Sequence, residues 1–283
     1  MLVKVIIDKR SGVCGGVNRA IKMVEKKLDE NCKDIYINGE LLHNRLEMER
    51  LIDKGLKVSN DINTLENSTL FIRTHGVGKS SIDDAKIKGN NVIDATCPKV
   101  RRSQDITYQL YKERYQIIIV GKSNHPEVIG LLGYCNNEAK IVMDEKDFTK
   151  IDFNKKSAIL TQTTIAQKHF FSLVESLKKK MPNLHVADTL CSFVENREEE
   201  LVSFAKENNV IVFIGGRNSS NTKVLFQKIL SFNPRAYLIE NVNDIEKSWF
   251  VSNDIVGVSG SASTPMWQIE EVKLVIEEMT SDL

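Results

Sequence analysis

The stretch VIDATC, residues 92–97, is a short apolar run ending in an aspartate, two small residues and a cysteine. A helical pattern over 99–113 follows it. VADTLC (186–191) repeats the arrangement and leads into a helical pattern over 193–208. VIIDKRSGVC (5–14) repeats it again and leads into 16–30. Each copy is a strand with an Asp at or near its end, then a cysteine, then a helix. The cysteines are 83 and 94 residues apart, each separation near a third of the 283-residue chain.

The match continues downstream. His43 in GELLHN lies 29 residues after Cys14, His125 in GKSNHPE lies 28 after Cys97, and Ser219 in GGRNSSN lies 28 after Cys191. A second polar turn follows in each third: His75 in RTHG, Thr163 in TQTT and Ser263 in GSAST, at 61, 66 and 72 residues after the respective cysteine. Apolar, β-branched runs at 3–7, 69–73, 115–120, 157–161, 209–214 and 254–258 alternate with amphipathic stretches, among them 43–54, 166–180, 220–231 and 266–281. Near-continuous apolar strands alternating with helices predict parallel sheets covered by helices, the α/β class. The reading is three similar small parallel-sheet α/β units, 1–96, 97–187 and 188–283, in a pseudo-threefold arrangement. Functional groups gather at the carboxyl ends of parallel strands. Such an arrangement would bring three cysteines and two polar sets to one central cavity.

Composition narrows the class. With 39 basic against 38 acidic residues and no dense Lys/Arg block, a nucleic-acid or anionic-membrane role is not expected. No apolar run approaches the ~18 residues of a membrane span. The start, MLVKVIIDKR, lacks the long apolar core of a signal peptide. The expected location is the cytoplasm, where thiols stay reduced. The five cysteines, 14, 32, 97, 135 and 191, are odd in number and form no CxxC pair, which argues against a disulfide framework or a zinc ribbon. Cys32 and Cys135 sit late in helical stretches without counterparts in the other thirds, and read as ordinary small hydrophobes.

Three cysteines at matching places suggest a shared cofactor. Structural zinc takes four protein ligands, and catalytic zinc three plus a water. An iron–sulfur cubane usually takes four thiolates, so three leave one iron without a protein ligand, open to a substrate oxygen. The glycines around Cys14 would let the backbone approach such a cluster. GGRNSSN follows an apolar run and opens a helix, which suits phosphate and equally suits a plain helix cap. GVGKSS (76–81) looks superficially like a phosphate loop but lacks its spacing. His43, His75 and His125 could supply positive charge and donors to a diphosphate, although single histidines are commonly structural. His169 and His185 read as structural. Glu127 in NHPEV is either a first-turn carboxylate or, beside a cluster, the best proton donor available.

In this order, GVCGGVNRAI, GELLHN, RTHGV, IDATCPKV, NHPEV, TQTT, C-x4-NR at 191–197, NSSN and GSAST cover essentially the whole chain. The chain thereby resembles the 4-hydroxy-3-methylbut-2-enyl diphosphate reductase family, the IspH/LytB family. The resemblance implies a three-domain pseudo-threefold α/β fold around one [4Fe–4S] cluster, with Cys14, Cys97 and Cys191 as ligands and one open iron. It implies that His43, His75, His125, Ser219, Ser220, Asn221 and Ser263 hold the diphosphate. Glu127 would relay protons, with Thr163 beside it near the substrate hydroxyl and His125 the next candidate. The implied reaction is two-electron reductive dehydroxylation to isopentenyl and dimethylallyl diphosphate, in the non-mevalonate isoprenoid pathway. Reduced ferredoxin or flavodoxin would be the donor. After the third cysteine the family reads close to C-x-A-T-x-N-R-Q; here CSFVENRE departs at Phe193, Val194 and Glu198.

Other readings of the same residues are a three-cysteine cluster enzyme of the quinolinate synthase kind, a non-catalytic electron carrier or redox sensor, and a phosphosugar-binding protein with inert thiols. The NSSN motif and Glu127 after His125 favour the diphosphate allylic alcohol over the first. The lack of a fourth repeat cysteine disfavours a carrier.

Overall fold

The computed structural model describes residues 3–30, 32 and 34–283, and the side chains of all of these except 194–196 and 220. Two compact units form. The first comprises Met1–Asn18, Leu42–Asp53 and Ser192–Leu283; the second comprises Arg19–Leu41 and Lys54–Cys191.

The chain begins with β1 (Lys4–Ile7), α1 (Gly15–Asp29), β2 (Ile35–Asn38), α2 (Arg45–Asp53), β3 (Lys57–Ser59), β4 (Thr69–Ile72), α3 (Lys79–Ile87) and β5 (Asn91–Asp94). It continues with α4 (Pro98–Lys112), β6 (Gln116–Val120), α5 (Pro126–Leu132), β7 (Lys140–Val142), β8 (Ser157–Thr161), α6 (Gln167–Lys180) and β9 (His185–Val186). It ends with α7 (Ser192–Glu207), β10 (Val210–Ile214), α8 (Ser220–Leu230), β11 (Ala236–Ile239), β12 (Ile255–Gly260) and α9 (Met266–Met279).

Among the described residues, twelve strands make three four-stranded sheets, and every pairing is parallel. The second unit holds β3-β2-β4-β5 and β7-β6-β8-β9; the first holds β1-β12-β10-β11. The apolar runs explain the strands. In VIVFI of β10, Val210, Val212 and Ile214 face α9 through Ile269, Val272 and Ile276, while Ile211 and Phe213 face Leu201 of α7 and Leu225 and Ile229 of α8. Period-2 alternation between two apolar layers requires an unbroken hydrophobic strand. β6 repeats this: Ile118 and Val120 pack with Phe170 and Leu173 of α6, and Ile117 and Ile119 with Leu110, Val128 and Leu131. Pro98 starts α4 where its missing N–H costs nothing.

One rule generates all three sheets. In the sheet of β2 to β5, the strands lie in the order second, first, third, fourth. The sheet of β6 to β9 has the same order. The remaining sheet has it too, with β10, β11 and β12 as first to third and β1 as fourth. Here the structure differs from the expected boundaries. The N-terminal strand, assigned to a 1–96 unit, pairs Lys4–Ile7 with Ile255–Val258. Only three strands follow Cys191, so the last sheet completes its fourth position from the other end of the chain. Cys32 and Cys135 also lie outside the helices expected to hold them: Cys32 is exposed beyond α1, and Cys135 is buried in the turn after α5.

Candidate active site

The strand order explains where the polar residues lie. The first and third strands are neighbours whose connections leave in opposite directions, so the gap between their carboxyl ends is a topological switch point, where ligands bind in open parallel sheets. His43, His125 and Ser219 each lie five residues beyond the first strand of their sheet, β2, β6 and β10. His75, Thr163 and Ser263 follow the third strands, β4, β8 and β12, by three, two and three residues. Cys14, Cys97 and Cys191 follow the fourth strands, β1, β5 and β9.

The same hydrogen bond holds each cysteine. The backbone N–H of Cys14 donates to Ala262 O at 3.1 Å, that of Cys97 to Thr74 O at 3.0 Å, and that of Cys191 to Thr163 O at 3.1 Å. Each acceptor belongs to the turn after the third strand of the same sheet. The aspartate before each cysteine has a local task. Its Oδ1 accepts the N–H two residues on, at 3.0 Å for Asp8 and Arg10, 2.9 Å for Asp94 and Thr96, and 3.2 Å for Asp188 and Leu190. Such a turn gives a backbone N–H at the strand end a side-chain acceptor. All three cysteines are partly buried and, among the described residues, none is in a disulfide. Cys135 is different: it is fully buried, and burial pushes its thiol up to about 11.

In the second unit, Glu127 and Thr163 form one group. Glu127 is 2% exposed; Oε1 accepts Thr163 N–H at 2.7 Å and Oε2 accepts Thr163 Oγ1–H at 2.9 Å. Burial pushes the Glu127 carboxyl up to about 7, against the two Thr163 hydrogen bonds that favour the ionised form. Pro126 opens α5 and His125 caps it, with Nδ1 accepting Glu127 N–H at 3.2 Å. That bond fixes Nδ1 as an acceptor and leaves Nε2 as the donor side of the neutral ring. His75 meets His125 edge-to-face, with ring centroids 5.5 Å apart.

In the first unit, the two hydroxyl-bearing turns and His43 meet. Ser263 Oγ–H donates to His43 O at 3.2 Å, and a Cβ at Gly216 would lie 2.8 Å from the same oxygen, so only glycine allows that approach. Ser219 caps α8 by accepting Thr222 N–H at 3.3 Å. Its own O–H remains a donor, so the cap and an anion contact are compatible uses of one hydroxyl. Asn221 is partly buried in the first turn of α8, and the Ser220 side chain lies outside the described residues.

Sequence reasoning missed one element of this region. Arg197 is 4% exposed and pairs with Asp8 at 2.6 Å. The conspicuous NR pair after Cys191 was the available signal. His169 is structural as expected, with Nε2 2.7 Å from Met143 O. A concavity of about 860 Å³ opens at the other end of the β6–β8 pair, lined by Arg114, Gln116, Lys140 and Lys156 among others; no candidate site residue lines it.

Residues 5–277 match the family model described as LytB protein. A 4-hydroxy-3-methylbut-2-enyl diphosphate reductase of Campylobacter hominis is 38% identical over 279 residues, covering 98% of this chain and 100% of the relative. One of Aquifex aeolicus is 36% identical over 281 residues, covering 98% and 97%. A solved structure of (E)-4-hydroxy-3-methyl-but-2-enyl diphosphate reductase, the terminal enzyme of the non-mevalonate pathway, superimposes with a TM-score of 0.79 at 36% identity, covering 98% of this chain and all of that one. A structure of the E-1-hydroxy-2-methyl-but-2-enyl-4-diphosphate reductase from Plasmodium falciparum gives 0.85 at 28% identity, covering 96% and 87%.

Proposed function

The chain belongs to the LytB protein family, and from that premise we propose that it reduces 4-hydroxy-3-methylbut-2-enyl diphosphate to isopentenyl and dimethylallyl diphosphate. It is an oxidoreductase of the non-mevalonate isoprenoid pathway. Two electrons and two protons enter, the allylic C–O bond breaks, a C–H bond forms, and the oxygen leaves as water. The observation that carries the reading is the buried Glu127–Thr163 pair, a carboxyl group bonded to a hydroxyl and pushed by burial up to about 7, where it can both hold and release a proton near neutral pH.

Cys14, Cys97 and Cys191 would hold one [4Fe–4S] cluster, with one iron left without a protein ligand. The residues fit that group. The donor set is three partly buried thiols outside any disulfide, each on a backbone fixed by the same hydrogen bond. A Cβ at Gly15, next to Cys14, would meet no atom within 4 Å, which leaves room for a bulky group. Thr96 Oγ1, beside Cys97, is buried without a partner. When bound, the cluster supplies the electrons and a Lewis-acidic site for the substrate oxygen.

The chain's own side chains do the rest. His43, His75, His125, Ser219, Ser220, Asn221 and Ser263 donate hydrogen bonds to the diphosphate and orient the allylic end. When Glu127 is ionised, Thr163 Oγ1–H donates to its Oε2. When Glu127 is protonated, its Oε2–H donates to Oγ1 instead, which frees the Thr163 hydroxyl proton for the departing oxygen, and Glu127 replaces it. The three segments 1–96, 97–187 and 188–283, with β1 lent to the last sheet, act as three copies of one unit. A reduced ferredoxin or flavodoxin is the electron donor, and the site of action is the cytoplasm. Among the described residues no helix is long and apolar enough to cross a membrane. The test is anaerobic turnover of the allylic diphosphate with a chemical reductant: both isopentenyl products should form. No product from protein carrying four irons per chain would defeat the reading.

A further inference from the structure

Asp8, Arg197 and Ser259 form a buried polar group that the proposed chemistry does not use. Asp8 directly follows β1 and is 7% exposed. Its Oδ2 receives Arg197 Nη2 at 2.6 Å and the hydroxyl proton of fully buried Ser259 at 2.9 Å. Arg197 Nη2 also donates to Ser259 Oγ at 2.7 Å, while Nη1 is buried with no partner. A buried ion pair commonly adds no more stability than apolar residues of the same volume would, so its use has to be sought in geometry.

The positions suggest that use. Asp8 lies six residues before Cys14, and Arg197 six after Cys191. Ser259 is on β12, whose following turn accepts the Cys14 N–H at Ala262 O. The guanidinium thus joins the end of β1, the end of β12 and α7, which begins directly after Cys191. The other repeats lack this. Asp94 pairs with Arg101 at a half-exposed position, and Asp188 is exposed and makes no ion pair among the described residues.

We propose that Arg197 is a positioning residue which, through Asp8 and Ser259, clamps the Cys14 loop to the helix following Cys191 and so holds two cluster ligands in register. The proposal rests on the reading that both cysteines bind one cluster. Partners of this outer kind typically change metal affinity ten- to a hundredfold when removed.

The experiment loads wild type, Arg197→Met, Arg197→Lys and Arg101→Met with iron and sulfide anaerobically. It then measures iron release to a chelator and the electron paramagnetic resonance signal of the reduced cluster. Arg197→Met should release iron roughly ten- to a hundredfold faster with an altered signal. Arg197→Lys should recover much of the loss, and Arg101→Met should match wild type. If Arg197→Met does not fold, the neutral pair Asp8→Asn with Arg197→Gln leaves no charge unpaired and should show the same fast release. Wild-type release from a folded Arg197 variant, or equal acceleration in Arg101→Met, would overturn the clamp. A wild type that takes up no cluster would instead sink the reading beneath it.

Discussion

The sheet of β6 to β9 and the sheet of β10 to β12 with β1 share strand order, the five-residue offset to the first polar loop, the turn aspartate and the cysteine tether. They differ in what sits at the switch point. One places Glu127 and Thr163 there, a buried carboxyl hydrogen-bonded to a hydroxyl, on a helix capped by His125. The other places Ser219, Asn221 and Ser263 there, neutral donors at a helix start and a turn. The backbone therefore repeats positions, and the side chains assign roles. A carboxyl sealed from water can store a proton at neutral pH. Hydroxyls and an amide cannot, but they are donors that suit the proposed diphosphate without titrating.

The feature the sheets share should be the most sensitive. Serine at Cys14, Cys97 or Cys191 should abolish iron retention and all turnover, because a neutral hydroxyl is a poor iron ligand. Serine at Cys32 or Cys135 should leave iron content unchanged. Iron analysis after anaerobic purification decides it, and loss of iron from Cys32→Ser with retention in Cys14→Ser would reverse the ligand assignment.

Next comes the proton-storing side. Glu127→Gln keeps shape and hydrogen bonding but has no carboxyl proton. Turnover should fall by roughly two to four orders of magnitude with cluster and substrate binding intact. Near-normal rates would move the role to His125.

The same carboxyl links stability to pH. Its folded value of about 7 stands above the ordinary 4.5, so the folded protein binds more protons than the unfolded chain between them. That contribution is fully present below pH 4.5 and is lost as pH rises through 7, about 3 kcal/mol in all. Glu127→Gln should remove this fall. Denaturant melts of both proteins from pH 4.5 to 8 give the difference, and parallel pH profiles would show that Glu127 is not the group.

The smallest effect belongs to the side proposed to bind the diphosphate. Asn221→Ala should weaken diphosphate binding about tenfold, as one charge-assisted hydrogen bond of roughly 1.5–3 kcal/mol implies, with the cluster spectrum unchanged. Titration with the diphosphate and with the free alcohol separates the contributions. An unaltered preference for the diphosphate would remove Asn221 from the site.

The three strand–Asp–Cys–helix copies, the parallel α/β class and the offsets to both polar loops were legible in the chain, because strand period, turn chemistry and motif spacing are local. VIDATC and VADTLC announce a strand, a turn aspartate and a cysteine without reference to anything distant. The phase of the third copy was not legible. Which sheet takes VKVII depends on an open edge beside Ile255–Val258, some 250 residues away, and nothing in the run itself names that partner. Asp8 and Arg197 each look like ordinary surface charges until folding removes both from water and leaves each as the other's counter-ion. Glu127 likewise reads as a first-turn carboxylate. Its proton-holding character comes from desolvation, and only tertiary packing decides how much water a side chain keeps.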